Sequence, residues 1–486
     1  MRIIGNRGNT ARKVQAIASG ALASGDTVVV NSDGTVSVVA LDSDSQALGS
    51  NTVFESGDSA LISSTYDANA QKLVLAYRDN GNSDYGTAVI GTVSGTSISF
   101  GTPVVFESAG IVSTAITYDA NAQKVVIAYR DEGNSSRGTA VIGTVSGTSI
   151  SFGTPVVFDS VGYSSHYTIT YDSNAQKVVV AYRDSGGTNR GYAYVGTVSG
   201  TSISFGSVGI YTTNSTIYMS ATFDSSSNKV VIAYNDNGNS QKGTAVVGTV
   251  SGTSISFGTP VVFEEGRTVY IGATFDSNSN KVVISYKDEG NSNRGTAIVG
   301  TVSGTSISFG TSVVFQSSST NWTSAAYDAN AQKVVISYQD QPDPKYGKLI
   351  VGTVSGTSIS FGSAVTFVSS SEISYTSTTY DANAQKVVVS YKDPANSDYG
   401  TSVVFQAGYS NTNLTAENYI GIASNGYATG QAATINAKGF IDDNQSSLTA
   451  GQSYYVQNNG DLGLTADDPS VFAGTAVSAT KLIVKG

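Results

Sequence analysis

One long repeat governs what this chain can become. Its second copy begins at Tyr118 and reads YDANAQKVVIAYRDEGNSSRGTAVIGTVSGTSISFGTPVVFDS, and close relatives of it fill the chain from about Asn51 to about Gln406. The Asp of its YD or FD pair recurs at Asp67, Asp119, Asp172, Asp224, Asp276, Asp328 and Asp381, at spacings of 52, 53, 52, 52, 52 and 53 residues. A period of this length made of strands implies a solenoid or a propeller, because one such unit cannot bury its apolar faces alone.

Inside the repeats Ala and Leu are sparse, while Val, Ile, Thr, Tyr and Ser abound, which favours strands over helices. The second copy reads as four strands. Strand A runs from about Ser113 to Tyr118, strand B from Lys124 to Arg130, strand C from about Gly138 to Val145, and strand D from about Ser149 to Phe158. DANAQ makes the A–B turn and Ser146-Gly147 the C–D turn, while Gly153 and Pro155 bend strand D, as suits an edge. Four strands per unit favour the propeller. The small residues of strand A suit the crowded innermost position, and the large apolar residues of B and C suit packing between blades.

The segment GTVSGTSISFG occurs only six times, beginning at Gly91, Gly143, Gly196, Gly248, Gly300 and Gly352. The seventh copy ends with a C-like strand, GTSVVFQ from Gly400 to Gln406, and has no strand D. The surplus lies at the other end, where SNTVFES (Ser50 to Ser56) matches the end of strand D and Phe54 precedes Phe106 by 52 residues. The expected fold is therefore all-β: a seven-bladed propeller over residues 50–407, its last blade completed by the N-terminal strand, so that no sheet edge is left open. The flanks, residues 1–49 and 408–486, are also strand and turn, with NSDGT, Asn425-Gly426 and Asn459-Gly460 as hairpin signals. Because they leave the ring where its ends meet, they are expected to form one small β domain; the alternative is two independent arms.

Residues in these flanks carry a resemblance. YIGIAS (Tyr419 to Ser424), LTAGQSYYVQNNGDLG (Leu448 to Gly463) and AGTAVSATKLIVKG (Ala473 to Gly486) resemble the C-terminal region of tail-fibre and other virion-surface proteins of tailed bacteriophages. The lead GDTVVVNSDGTVSVV looks like its companion in the same proteins, and the repeat resembles theirs more loosely. The resemblance implies a virion-surface location, assembly with other virion proteins through the terminal domain, and no catalytic residue; missing secretion signals fit manufacture in the host cytoplasm.

Bulk properties exclude several functions. A net charge of −10 without a basic run argues against coating nucleic acid or an anionic membrane. Charged residues are 13% and hydrophobic ones 40%, so the chain can bury a large core and is too apolar to be disordered. There is no Cys and one His, His166, which excludes thiolate and multi-histidine metal sites and leaves no Ser-His-Asp triad in view. No apolar run of the length a signal peptide or membrane span needs is present, so neither a signal peptide nor membrane insertion is expected. Glu55, Glu107, Asp159 and Glu264 all follow strand D and read as a repeat feature rather than a catalytic pair. The Arg-Asp pairs at Arg130-Asp131 and Arg183-Asp184 read as blade-to-blade ion pairs or loop caps. The loops Asp131 to Ser135 and Asp288 to Ser292 carry too few carboxylates for Ca²⁺. No cofactor or metal is expected.

The copies disagree mainly in the D–A connections and the B–C loops, which share one face of the expected ring. There lie Tyr163, His166, Tyr167, Tyr218, Arg267, Tyr270, Trp322 and Tyr375, and in one B–C loop the odd segment QDQPDPKY from Gln339 to Tyr346. Aromatic rings beside Asn, Ser and Asp suit sugars, because a ring covers the apolar face of a pyranose while polar groups take its hydroxyls. The plainer reading is rim packing. These eight residues are the candidate ligand-binding set, for a host-surface glycan or receptor. The chain is expected to be a non-enzymatic, homo-oligomeric virion protein; the alternatives are a purely structural decoration or filament subunit, and a glycan-degrading enzyme.

Overall fold

The computed structural model describes residues 2–4, 13–159, 162–187, 189–341, 345–369, 372–467 and 469–485. It divides the chain into two compact units, one of residues 45–407 and one of residues 1–44 with 408–486.

The larger unit holds the repeats, each folded as an antiparallel sheet. In the second copy the inner strand ends the long element Val104–Asp119, strand B is Lys124–Asp131, and strand C is Arg137–Ser146. The outer strand is broken by the Gly153–Pro155 bend into Ser149–Phe152 and Val156–Asp159, both paired with strand C. The same order recurs seven times. Strand B is buried on both faces throughout, which is why its sequence is an unbroken apolar run rather than an alternating one. The core lies between units: Val74, Ala76, Ala88 and Ile90 of the first copy pack against Val125, Ile127, Tyr129 and Val141 of the second. Leu73, Leu75 and Val89 of the first pack against Phe54, Val388 and Val404 of the seventh sheet.

Closure is visible in the register. The strand Tyr399–Gln406 pairs with the chain's early segment: Tyr399 lies opposite Asp58, Gly400 opposite Glu55, Thr401 opposite Val53 and Ser402 opposite Thr52. Leu48 and Ala47 continue the pairing opposite Phe405 and Gln406. Residues 45–49 fall in the same compact unit as the repeats. The A–B turns are tied in the same circular order. Each is an Asx turn, as where Asp67 Oδ1 accepts from the N–H groups of Asn69 and Ala70, both at 2.9 Å. The Asn69 N–H also donates to the Tyr118 hydroxyl oxygen of the next copy at 3.2 Å, and the Asn383 N–H of the seventh copy donates to Tyr66 of the first at 3.1 Å.

A glycine at the bend of the outer strand allows neighbouring units to approach. A Cβ on Gly153 would lie 1.9 Å from the Thr201 carbonyl oxygen, in the C–D turn of the next unit, and one on Gly49 would lie 1.8 Å from that of Thr96. Gly362 has no such neighbour, since the seventh copy has no C–D turn; its nearest atom is the Val351 oxygen at 4.0 Å.

The repeated acids are structural. The Tyr77 hydroxyl donates to Glu55 at 2.7 Å, Tyr129 to Glu107 at 2.9 Å and Tyr286 to Glu264 at 3.0 Å. The Asp residues after strand B cap the turn that follows: Asp131 accepts from the Asn134 N–H at 3.1 Å and Asp288 from that of Asn291 at 3.0 Å.

In the smaller unit the two flanks share a sheet. Lys13–Ile17 pairs with Ala432–Asn436, and Thr27–Val30 with Tyr419–Ala423. NSDGT turns between Thr27–Val30 and Val36–Val38. Asn459-Gly460 turns between Ser453–Val456 and Leu462–Gly463, with Gly460 at φ +90°. Asn425-Gly426 makes no tight hairpin; it sits in the longer loop between Tyr419–Ala423 and Ala432–Asn436.

Gly153→Ala is expected to destabilise the repeat unit by roughly 2–4 kcal/mol, because two backbones must separate. Gly362→Ala should change it by less than about 0.5 kcal/mol. Thermal or urea unfolding of the two variants side by side checks this.

Candidate functional site

The inner strands do not run evenly. Each bulges just before its midpoint, where the register jumps between Ala60 and Ser63, Val112 and Thr114, Ser165 and Thr168, and correspondingly in the other copies. One residue of each bulge has a left-handed backbone: Leu61 (φ 53°), Ser113 (58°), His166 (53°), Tyr218 (50°), Tyr270 (53°), Trp322 (51°) and Tyr375 (53°). Bulky residues avoid this region, and it persists only where surroundings over-determine it. Here the strand is paired on both sides of the bulge, and the next unit fastens the bulge carbonyl. The Thr114 hydroxyl donates to Leu61 O, Thr323 to Tyr270 O and Thr376 to Trp322 O. The His166 N–H donates to Ser113 Oγ at 3.4 Å.

Five of the seven equivalent side chains are aromatic, and they form one continuous arc. Ring centroids are 6.1 Å apart for His166 and Tyr218, 5.3 Å for Tyr218 and Tyr270, 4.8 Å for Tyr270 and Trp322, and 4.6 Å for Trp322 and Tyr375. All five are half-buried. Beyond the bulges a cavity of about 360 Å³ is lined by the inner strands of all seven copies, with Ser63, Thr114, Thr168, Ser220, Ser324 and Ser377 among its hydroxyls. A second cavity of about 610 Å³ lies towards the A–B turns, lined by Thr65, Thr117, Thr170, Thr222, Thr274 and Thr379. Among the described residues no carboxylate lines either cavity, so the paired acids that a glycan-degrading site requires are not found there.

The structure thus gathers His166, Tyr218, Tyr270, Trp322 and Tyr375, and separates the other three candidates. Tyr163 stands outside the arc, 62% exposed, its N–H donating to Ser136 O at 2.7 Å. Tyr167 is a core residue, packed against Phe158 and Tyr182. Arg267 is exposed at the unit's outer side and paired with Glu289 at 2.6 Å. Two expectations need correction. His166, expected in a D–A connection, lies half-buried within the strand Ser164–Asp172. The D–A connections are not loops throughout: in four places the outer strand runs directly into the next inner strand, as in Thr52–Asp67, Val104–Asp119, Val261–Asp276 and Val313–Asp328. Ser160, Val161, Ser370, Ser371 and the Pro342 to Pro344 portion of the odd B–C loop lie outside the described residues.

Near the end of strand B, one position carries a half-buried Arg78, Arg130, Arg183, Lys287 or Lys392 in five copies and a buried amide in two, Asn235 and Gln339. Some of these reach the neighbouring unit: Lys287 Nζ donates to Asn321 at 3.0 Å and Asn235 Nδ2 to Thr268 O at 2.6 Å. Burial, aided by the nearby Arg183 and Arg130, pushes the His166 imidazole down to about 4. Burial raises the Tyr270 phenol.

No known family and no curated protein matches the sequence. Among solved structures the chain is similar to the BP39L lectin from Burkholderia pseudomallei, with 11% identity and a TM-score of 0.53 over 73% of this chain and 98% of that one. It is also similar to AofleA from Arthrobotrys oligospora (10% identity, TM-score 0.39, 72% and 96% covered) and to a leech intramolecular trans-sialidase (8%, 0.43, 74% and 70%). At such identities the likeness is one of fold. The chain is an all-β protein of antiparallel strands resembling β-propeller lectins.

Two outcomes test this geometry. The chain's single histidine should give one imidazole resonance with a midpoint near pH 4 by NMR titration. Since an unfolded His titrates near 6.5, this group removes stability as pH falls from about 6.5 towards 4 and has no effect above that window. Ser113→Val, which puts a β-branched residue at φ 58° and removes the acceptor of the His166 N–H, should lower stability by about 1–3 kcal/mol in urea unfolding.

Proposed function

We propose that the seven units are the blades of a closed seven-bladed β-propeller and that the protein binds a glycan on the aromatic arc at the bulged end of the central channel. The observation that carries this reading is the arc itself: five adjacent rings held at one structural position, on strained backbone, by a scaffold that does not need them. Rings of this kind offer a low-entropy stacking surface. The hydroxyls of the channel wall beneath supply hydrogen-bonding partners. The fold likeness to the BP39L lectin supports the same reading. The seven-blade count is supported by inner strands from all seven copies lining one cavity, and by the Asn383–Tyr66 hydrogen bond between the last copy and the first.

The proposed setting is the surface of a bacteriophage particle, the smaller unit attaching the protein to other virion proteins. This part rests on the resemblance of the flanking sequences. A second reading, a structural subunit, draws on the outer strands, where Val53, Val105, Val157, Ile210 and Val314 recur as exposed apolar residues. Particle imaging that found the repeat faces buried between copies on a regular lattice would favour it.

Trp322 is the only tryptophan of the chain and lies within the arc. Titration with a bound glycan should therefore change the intrinsic Trp emission, and Trp322→Ala should weaken binding at least about tenfold. A glycan that binds without changing Trp emission, and equally well to Trp322→Ala and Tyr270→Ala, would show that the arc is not the site.

A further inference from the structure

The seven copies serve as internal controls for one another, and one cation breaks their pattern. Four of the five cations near the end of strand B have a carboxylate at hand: Arg78 has Asp84 at 3.6 Å, Arg130 has Glu132 at 2.5 Å, Lys287 has Glu289 at 3.9 Å, and Lys392 has Asp58 at 2.6 Å and Asp398 at 3.2 Å. Arg183 has none within 4.0 Å among the described residues. The sequence supplies the reason. The Glu two residues after the cation, Glu132 in the second copy and Glu289 in the fifth, is Ser185 in the third. Among the described residues Arg183 donates one hydrogen bond, from Nη2 to Asn189 Oδ1 at 2.9 Å, and its buried Nε has no acceptor.

The surroundings of Arg183 complete a site. Ser165 lies directly across the ladder from it, and Ser165 Oγ is 2.7 Å from Ser185 Oγ and 3.2 Å from His166 Nδ1. The Ser185 N–H donates to the carbonyl of Tyr163, whose ring is exposed. His166 opens the aromatic arc, edge-on to Tyr218. The charged groups that act on His166 are Arg183 and Arg130, both positive. A half-buried guanidinium with unused N–H groups is costly unless an acceptor arrives, and a carboxylate fork matches it in shape and charge. A neutral sugar hydroxyl cannot replace the missing acid.

We infer that Arg183, with Ser165, Ser185 and His166, binds the carboxylate of an acidic sugar whose pyranose ring lies over His166 and Tyr218 at the head of the arc. This rests on the glycan-binding reading and narrows it to uronic or sialic acids.

Calorimetric titration of the full chain tests it with two matched pairs, methyl β-glucuronide against methyl β-glucoside and 3′-sialyllactose against lactose. At least one acidic member should bind about tenfold or more tighter than its neutral partner, with a preference that shrinks as salt is raised. Arg183→Gln should remove the preference and leave the neutral affinity in place. Ser185→Glu, which restores the acid of the second and fifth copies, should do the same, and Arg183→Lys should keep part of it. The acidic ligand should also move the His166 midpoint upward, because it brings a negative charge beside the imidazole. Equal affinities within both pairs, or a preference untouched by Arg183→Gln and Ser185→Glu, would overturn the inference while leaving glycan binding standing. Failure of every sugar, acidic or neutral, to bind would remove both.

Discussion

Burial of one sheet face against the next is the constraint on which the repeat unit depends. Strands B and C of each copy are apolar on both faces, so a copy with one neighbour would leave a full sheet face in water. The seventh copy packs against the first, and the strand borrowed from the N-terminal side covers the edge of the seventh sheet. Close approach is then limited by backbone: glycines such as Gly153 and Gly49 meet the carbonyl of the neighbouring C–D turn. The turns, the tyrosine hydroxyls that tie them and the Tyr–Glu pairs of the outer strands all presuppose that approach.

The bulge is where this scaffold yields a site. Its backbone is held by the ladder on either side and by a hydroxyl of the next unit, not by its own side chain. Side-chain identity is therefore free to vary, and it does: Leu61, Ser113, His166, Tyr218, Tyr270, Trp322 and Tyr375 occupy one position. The flanking position on strand B varies between cation and amide, and among the described residues the cation of the third copy has no acid within 4.0 Å. Diversity accumulates at these places because the packing does not penalise it.

Much of the architecture was legible because each signal was repeated. The Asx turns, the strand periods, the Gly–Pro bend and the complementary deficit and surplus at Gln406 and Ser50 are local patterns read several times over. The candidate residues were legible only as differences between copies. That Tyr218, Tyr270, Trp322 and Tyr375 share a left-handed bulge could not be read, because bulky rings oppose that conformation and no turn residue marks it. Tyr167 resembled its neighbour His166 in sequence, yet the extra residue of the bulge turns one towards the arc and the other into the core against Phe158.

The sequence by itself determined the element type, the number of repeats, and the way the segment before the first repeat completes the last sheet. These follow from local propensity, hydrophobic period and counting. Only the tertiary structure decided which variable residues meet, which one is buried, and which cation is left without its acid. The first two depend on packing across units, between side chains some fifty residues apart in the arc; the third depends on how each B–C loop folds back on its own strand B.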